Sequence, residues 1–396
     1  MAKININVVY IVIIIALFTF LPYLVHNYSF AVLLFSGIVY MISMQYFRKI
    51  LIVKKKFIIY IFIFIFYTIL LIMLHQSLLT TKAYFSFISI IFVFGSAYIG
   101  AFMLKNMYNK TLYNALKSTF IIFLVLGIIH IVFVGGAHNV FPFREASHYA
   151  LFIGPFSIAL FVATNKKIAK TIIVLWLLIA GILLPNTTIL VYIVLIGILY
   201  FKWNIKNISV SFLLLFLMMN LVINNKYFSQ RIFFWGGDSS SNLSALVYLQ
   251  GIEDAYNSLI STSGFGLGFQ QLGTQEESEA SLIIKKIIKS DKGLNRQDGG
   301  FTAAKIIAEL GYLGMMFLLL YILMFKKAYK YLSKNIVNER IKRINKHRIK
   351  PDIKFVISYA FIYSYSVELF IRGAGYFSLG SYLFYWAVAY LYVIKK

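Results

Sequence analysis

Residues Lys54 to Leu74 read KKKFIIYIFIFIFYTILLIML, three lysines followed by an uncharged apolar run. A bilayer core about 30 Å thick takes roughly 20 such residues as one helix, which satisfies its own backbone in lipid. Similar stretches recur along the chain: Val8–Val25, Phe30–Phe47, Ala83–Leu104, Ser118–Val134, Tyr149–Ala163 and Thr171–Leu184, then Thr188–Phe201, Ile208–Ile223, Phe301–Phe325, Phe355–Ile371 and Phe377–Val393. The pattern predicts an all-α, polytopic integral membrane bundle of about twelve spans. With 61% hydrophobic residues and a mean hydropathy of +0.81, the composition excludes a water-soluble fold.

The 38 Lys and Arg residues give the predicted orientation. They gather in alternate connections: Arg48, Lys49 and Lys54–Lys56; Lys105, Lys110 and Lys117; Lys166, Lys167 and Lys170; Lys202 and Lys206; a dense group between Lys326 and Lys354; and Lys395 with Lys396. Basic connections stay on the cytoplasmic side, so both termini are expected there. The first span has no small-residue cleavage site and is read as an ordinary membrane helix. The net charge of +25 raises the possibility of nucleic acid, but most of the charges sit a few residues from span ends. Topology and anionic lipid headgroups account for them, so no nucleic-acid partner is expected. The absence of cysteine excludes disulfides and thiol chemistry.

Three regions follow: an N-terminal bundle over 1–223 with about nine spans, a large loop over 224–300, and C-terminal spans over 301–396 that include a basic cytoplasmic loop at 326–354. The large loop carries pattern. After Ser239–Ser241, the apolar residues Leu243, Val247, Ile252, Tyr256 and Leu259 predict a short amphipathic helix. A second, over Gln275–Ser290, begins with Glu276, Glu277 and Glu279 and ends with Lys285, Lys286 and Lys289, complementing the helix dipole. Its stripe of Leu282, Ile283, Ile284, Ile287 and Ile288 is expected to lie on the outer leaflet. Between the helices, Gly264, Gly266 and Gly268 alternate with apolar residues, a pattern that allows positive φ and close backbone approach to a ligand. A flexible turn reads equally well from these residues.

Ionisable residues in a bundle are costly and mark function or pairing. Lys305 and Glu309 stand one turn apart, as do Glu368 and Arg372, and each couple could pair i,i+4. Arg144, Glu145 and His148 lead into the sixth span. With Arg231, Arg296, Asp298, Lys305, Glu309, Glu368 and Arg372 they share the outer third of the bundle or its loops, where they could converge on one cavity. Cations and carboxylates beside lipid suit a substrate with a diphosphate, sugar hydroxyls and an apolar tail, and so suit glycosyl transfer from a lipid carrier. No Asp-x-Asp triplet occurs and the histidines are scattered, so neither metal nor cofactor is expected.

Four segments carry a resemblance to the O-antigen polymerase (Wzy) family and the related ligases: Glu145-Ala-Ser-His-Tyr-Ala150, Gly264-Phe-Gly-Leu-Gly-Phe269, Ala308-Glu-Leu-Gly-Tyr-Leu-Gly314 and Arg372-Gly-Ala-Gly-Tyr-Phe377. Their order and spacing match the family plan over most of the chain. Two departures stand out. Asp298-Gly-Gly300 occupies the place of a His-Asn pair that many ligases carry, and Leu246-Val-Tyr-Leu249 lies where an arginine is often found.

The resemblance implies a GT-C-like, inverting transferase in a bacterial inner membrane. Such an enzyme joins undecaprenyl-diphosphate-linked oligosaccharide repeats on the periplasmic face, with a flippase and a chain-length regulator as partners. Location and chemistry suggest the roles. Asp298 or Glu145 would be the base; Arg231, Arg296 and Arg372 would neutralise the diphosphate; His148 and Arg144 would orient sugar; and Gly264, Gly266 and Gly268 would allow close approach. Lys305, Glu309 and Glu368 would support the site from within the membrane. A ligase, a lipid-linked oligosaccharide flippase and an acyltransferase are the alternatives.

Overall fold

The computed structural model describes residues 20–21, 23–25, 28–46, 54–75, 81–134, 140–143, 145–184, 186–200, 243–290, 293–342 and 352–394. The expected span Ile208–Ile223, most of Val8–Val25, Arg144 and Arg231 lie outside these residues, as do both chain ends. Twelve α-helices are present among the described residues: α1 (Tyr28–Tyr46), α2 (Lys55–His75), α3 (Thr81–Asn106), α4 (Asn109–Ile129), α5 (Ala146–Ala163) and α6 (Lys167–Leu183), then α7 (Thr187–Tyr200), α8 (Leu243–Ser261), α9 (Glu279–Ile288), α10 (Thr302–Lys342), α11 (Ile353–Phe370) and α12 (Leu379–Val388). The last turns of α4 and α12 widen into π-helix at His130–Val134 and Ala389–Ile394.

Among the described residues, five segments are long and apolar enough to cross a bilayer: Ala83–Asn106, Asn109–Val134, Ala146–Ala163, Thr302–Ile336 and Ile353–Phe370. Phe30–Ser43, Thr187–Tyr200 and Leu379–Ile394 are shorter apolar helices. Helices that are apolar all round must face either protein or lipid, and the chain uses both. α5 and α11 pack on each other at the centre and are almost wholly buried, whereas α4 and α10 leave long apolar faces exposed.

Tyrosines secure the centre, because a phenol in an apolar interior needs a partner. Tyr149 donates to the Phe123 carbonyl (2.9 Å), Tyr321 to Ile362 (2.9 Å) and Tyr363 to Leu195 (3.1 Å), tying α5 to α4, α10 to α11, and α11 to α7. Interhelical bonds of this type average about 0.6 kcal/mol in membrane proteins.

One end of the bundle collects cations. Lys54 Nζ donates to the Ile394 carbonyl (3.1 Å) and Lys354 Nζ to Lys105 O (2.5 Å), so the start of α2, the start of α11, the last turn of α3 and the π-turn after α12 share a level. Lysines at helix C-termini satisfy orphan carbonyls and oppose the dipole. The N-terminus of α5 and the C-terminus of α11 lie at the opposite end, where α8, α9 and their loops gather.

α10 differs from the stretch expected for it. It continues to Lys342, taking in much of the basic segment read as loop, because Ala328, Leu332 and Ile336 keep a buried stripe at four-residue spacing. It is also broken at Gly311, where φ is 56° and ψ −135°.

Candidate functional site

The break at Gly311 positions the site. A helix interrupted there leaves the carbonyls just before it without intrahelical donors, a cost that must be met by other groups. The turn after α8 supplies most of them. Leu267 N–H donates to Ala308 O and Gly268 N–H to Glu309 O (both 2.9 Å), and Tyr312 N–H returns a bond to Gly264 O (2.8 Å). Ser258 Oγ adds a bond to Ala308 O (2.5 Å), and Tyr67 of α2 bonds Leu310 O (3.0 Å) and Phe265 O (3.2 Å).

The glycines expected to approach a ligand thus approach the protein's own helix. A Cβ on Gly266, whose φ is +86°, would stand 2.5 Å from Gly311 N and 2.7 Å from Glu309 O. Gly264 packs on the Tyr312 ring, while Gly268 has its nearest neighbour, Gln271 Cγ, at 3.6 Å. The close approach that alternate glycines permit is real, and its object is backbone.

Immediately beyond this joint lies a buried charge network. Lys305, 1% exposed, donates to Gln297 O (2.7 Å) and Gln270 Oε1 (3.1 Å), with Asp298 Oδ1 at 3.6 Å and Glu309 Oε1 at 3.8 Å. Its ammonium also sits over the Tyr376 ring, 5.5 Å from the centroid. Glu309, fully buried, accepts from the backbone N–H of Gln270 (2.9 Å) and of Leu272 (3.3 Å). The i,i+4 pair read from the sequence therefore joins a larger cluster that spans the glycine turn, the 293–301 loop and the loop after α11. Asp298 stands at its rim, 52% exposed, and Gly375 faces both Asp298 and Lys305.

The second pair, Glu368 with Arg372, does not form. α11 ends at Phe370, so Arg372 no longer shares a helix face with Glu368. Glu368 turns inward to Ser378 and Ser381, whose hydroxyls donate to Oε1. Arg372 instead reaches Glu145 Oε2 at 2.8 Å, a contact across 227 residues of sequence. Glu145 caps α5, accepts from Ser147 Oγ (2.8 Å), and takes the His148 N–H on its backbone carbonyl (3.1 Å). Burial works against its charge, but Arg372, His148 and Ser147 outweigh it and hold the carboxyl below its ordinary pKa.

The loops that carry these groups are fastened to each other. Gly373 N–H donates to Gly300 O (3.1 Å) and Tyr248 of α8 to Phe370 O (3.1 Å). Arg296, expected on a diphosphate, is committed elsewhere: it bonds Glu277 Oε1 (3.4 Å) and the Gln275 carbonyl, and Lys285 closes on the same Glu277. On α9, Ile284 is buried with Leu246 and Val247 of α8, so part of the stripe expected on the leaflet packs on protein, while Leu282 and Ile287 stay exposed.

Gln270, Gln297 and Tyr376 hold the network and were not singled out in the sequence. Gln270 follows the glycine run and Tyr376 lies in the Arg372–Phe377 segment, so their proximity to marked motifs was the available signal. Among the described residues, no three His, Asp or Glu side chains are placed to hold a metal ion. No family model, curated protein or solved structure matches the chain.

Proposed function

We propose that this protein is a glycosyltransferase of the O-antigen polymerase type, joining polyprenyl-diphosphate-linked oligosaccharide repeats at the periplasmic face of a bacterial inner membrane. The observation that carries the reading is the gathering of Asp298, Lys305 and the Gly375 turn at the end of the bundle away from the lysines, with the Arg372–Glu145 pair on the adjoining loop. This is an exposed carboxylate and an arginine beside apolar helices, the chemistry that a lipid-linked sugar diphosphate requires.

In the proposed step, the acceptor hydroxyl attacks the anomeric carbon, Asp298 takes the hydroxyl proton, and the bond from that carbon to the diphosphate oxygen breaks. Arg372 stabilises the departing diphosphate by exchanging Glu145 for phosphate oxygens. Asp298 is favoured over Glu145 as base because it stands 52% exposed at the rim of the network, whereas the Glu145 carboxylate is taken up by Arg372 and Ser147. Lys305 is too buried to meet substrate, and it fixes Asp298 in place.

The test is the lipid-bound glycan ladder of a strain that depends on this protein. Asp298→Asn is expected to leave single repeats while the protein still inserts in the membrane at the native level. A ladder of normal length from this variant overturns the assignment of the base. In a strain lacking the protein, long polymer stranded on the carrier indicates a ligase, and unpolymerised units trapped inside the cell indicate a flippase.

A further inference from the structure

Helix α8 turns polar as well as apolar residues inward. Beside Leu246, Val247 and Ala255, its buried face carries Gln250, Asp254 and Ser258 at four-residue intervals, continued by Thr262 just past its end, with Asp254 and Ser258 wholly buried. Its opposite face presents Ile252, Tyr256 and Ile260 at the same interval, 46%, 63% and 63% exposed. The apolar stripe continues through Phe265 (51%) to Tyr312 (67%), the first residue of α10 past its break. From there it runs into the exposed face of α10, through Met316, Leu319, Leu320 and Leu323. Apolar area left in water forgoes about 25 cal/mol per Å², and helices of soluble proteins turn such a stripe inward. Part of the polar face bonds protein: Ser258 bonds Ala308 O, and Thr262 Oγ1 donates to Ser258 O (2.6 Å) and accepts from Gly266 N–H (2.8 Å), while Asp254 lies buried beside Gln250, Ser278 and Arg296.

Depth follows from α10. Its first lysines after the apolar stretch are Lys326 and Lys327, and one hydrocarbon thickness, roughly 20 residues of helix, counted back from them reaches the neighbourhood of Ile306. α8 runs alongside this part of α10, with Val247 at Gly300, Ser258 at Ala308 and Gly264 at Gly311 and Tyr312. Its C-terminal end and the glycine turn therefore sit at or below the hydrocarbon boundary. Irregular backbone is tolerated there only when its polar groups are bonded to protein, and the N–H groups of the turn are. Gly264 N–H bonds Leu259 O at 2.7 Å, and Leu267 and Gly268 donate to α10.

We propose that the C-terminal end of α8 and the glycine turn form a re-entrant segment that dips into the bilayer edge opposite the cation-rich end, with Ile252 at headgroup level and Tyr256, Ile260 and Phe265 at increasing depth against lipid acyl chains. This rests on the fold alone and holds whatever reaction the protein performs.

The chain has no cysteine, so single replacements report without background. Ile252→Cys, Tyr256→Cys, Ile260→Cys and Phe265→Cys, spin-labelled in the full-length protein in phosphatidylcholine bilayers, are expected to relax with oxygen and lose broadening by a water-soluble nickel complex progressively toward Phe265. Lys286→Cys, on exposed α9, is the aqueous control. Nickel access equal to that control along the stripe overturns the proposal, and so does exclusion of both reagents, which would mean a protein partner covers the face. The unsubstituted protein gives a second reading. A diazirine carried on a lipid acyl chain is expected to label residues 252–265, and labelling confined to the spanning helices overturns the proposal.

Discussion

Lys305 and Glu309 meet with 1% and 0% of their side chains exposed, whereas Arg372 and Glu145 meet with 21% and 47% exposed. The first pair is one turn of helix apart, is surrounded by backbone and amide partners, and cannot separate without leaving a buried charge unpaired. The second joins a loop to a helix cap from distant parts of the chain, and each partner can turn to solvent or to a ligand. The difference teaches that ion pairs a few residues apart in space serve different ends. The buried one holds three loops in register, and the open one links a loop to a helix cap at the surface.

The comparison breaks most readily at Lys305. Lys305→Met leaves Glu309 buried opposite no cation, and removing one partner of a buried pair costs about 3–5 kcal/mol. Unfolding of the purified protein is expected to show that loss, and the double replacement with Glu309→Gln is expected to recover much of it. Equal stability of the single and double variants would mean that the pair is not coupled.

The glycine turn gives the next effect. Gly266→Ala forces a side chain into positive φ against Gly311, so a loss of about 1–3 kcal/mol is expected. It should exceed that of Gly268→Ala, which shares the φ but meets no close atom. Thermal unfolding of the two variants side by side reads the difference.

The smallest effect belongs to the open pair. Glu145→Gln is expected to cost no more than about 1 kcal/mol, since exposed pairs are screened by solvent. The sign of its pH dependence follows from the lowered pKa of Glu145: the stabilisation is complete above the ordinary carboxylate value of about 4.3 and disappears as pH falls through the lower folded value. Melting curves of the native protein and of Glu145→Gln should therefore converge in acid and separate toward neutrality. Divergence in acid would contradict the pairing.

What could be read from the chain divides along physical lines. Span-forming helices such as α3, α5 and α11 were legible because apolarity over some twenty residues is a local property. Lys305 with Glu309 was legible for the same reason, being set by helical periodicity alone. Glu145 with Arg372 was not, because no local rule links positions so far apart in sequence. Glu368 and Arg372 misled, since an i,i+4 rule holds only while the helix continues, and it stops before Arg372. α8 was legible as a helix, and the structure has it at Leu243–Ser261, but the surroundings of its faces were not. Its apolar residues were seen at helical spacing, but spacing does not say whether the surroundings of a face are core, water or lipid. Nor could Arg296 be separated from the other arginines before Glu277 was seen beside it.

The Gly311 break has a consequence for how the chain is made. α8 and the glycine turn leave the ribosome ahead of α10, so their polar backbone emerges before the carbonyls that complete it have been synthesised. Until α10 is threaded into the membrane, that hairpin must wait in an aqueous or translocon-shielded setting. Assembly of this end of the molecule then includes the seating of an older segment onto a newer one, and a chain stalled before residue 311 would display an unseated turn to the cell's quality-control proteases.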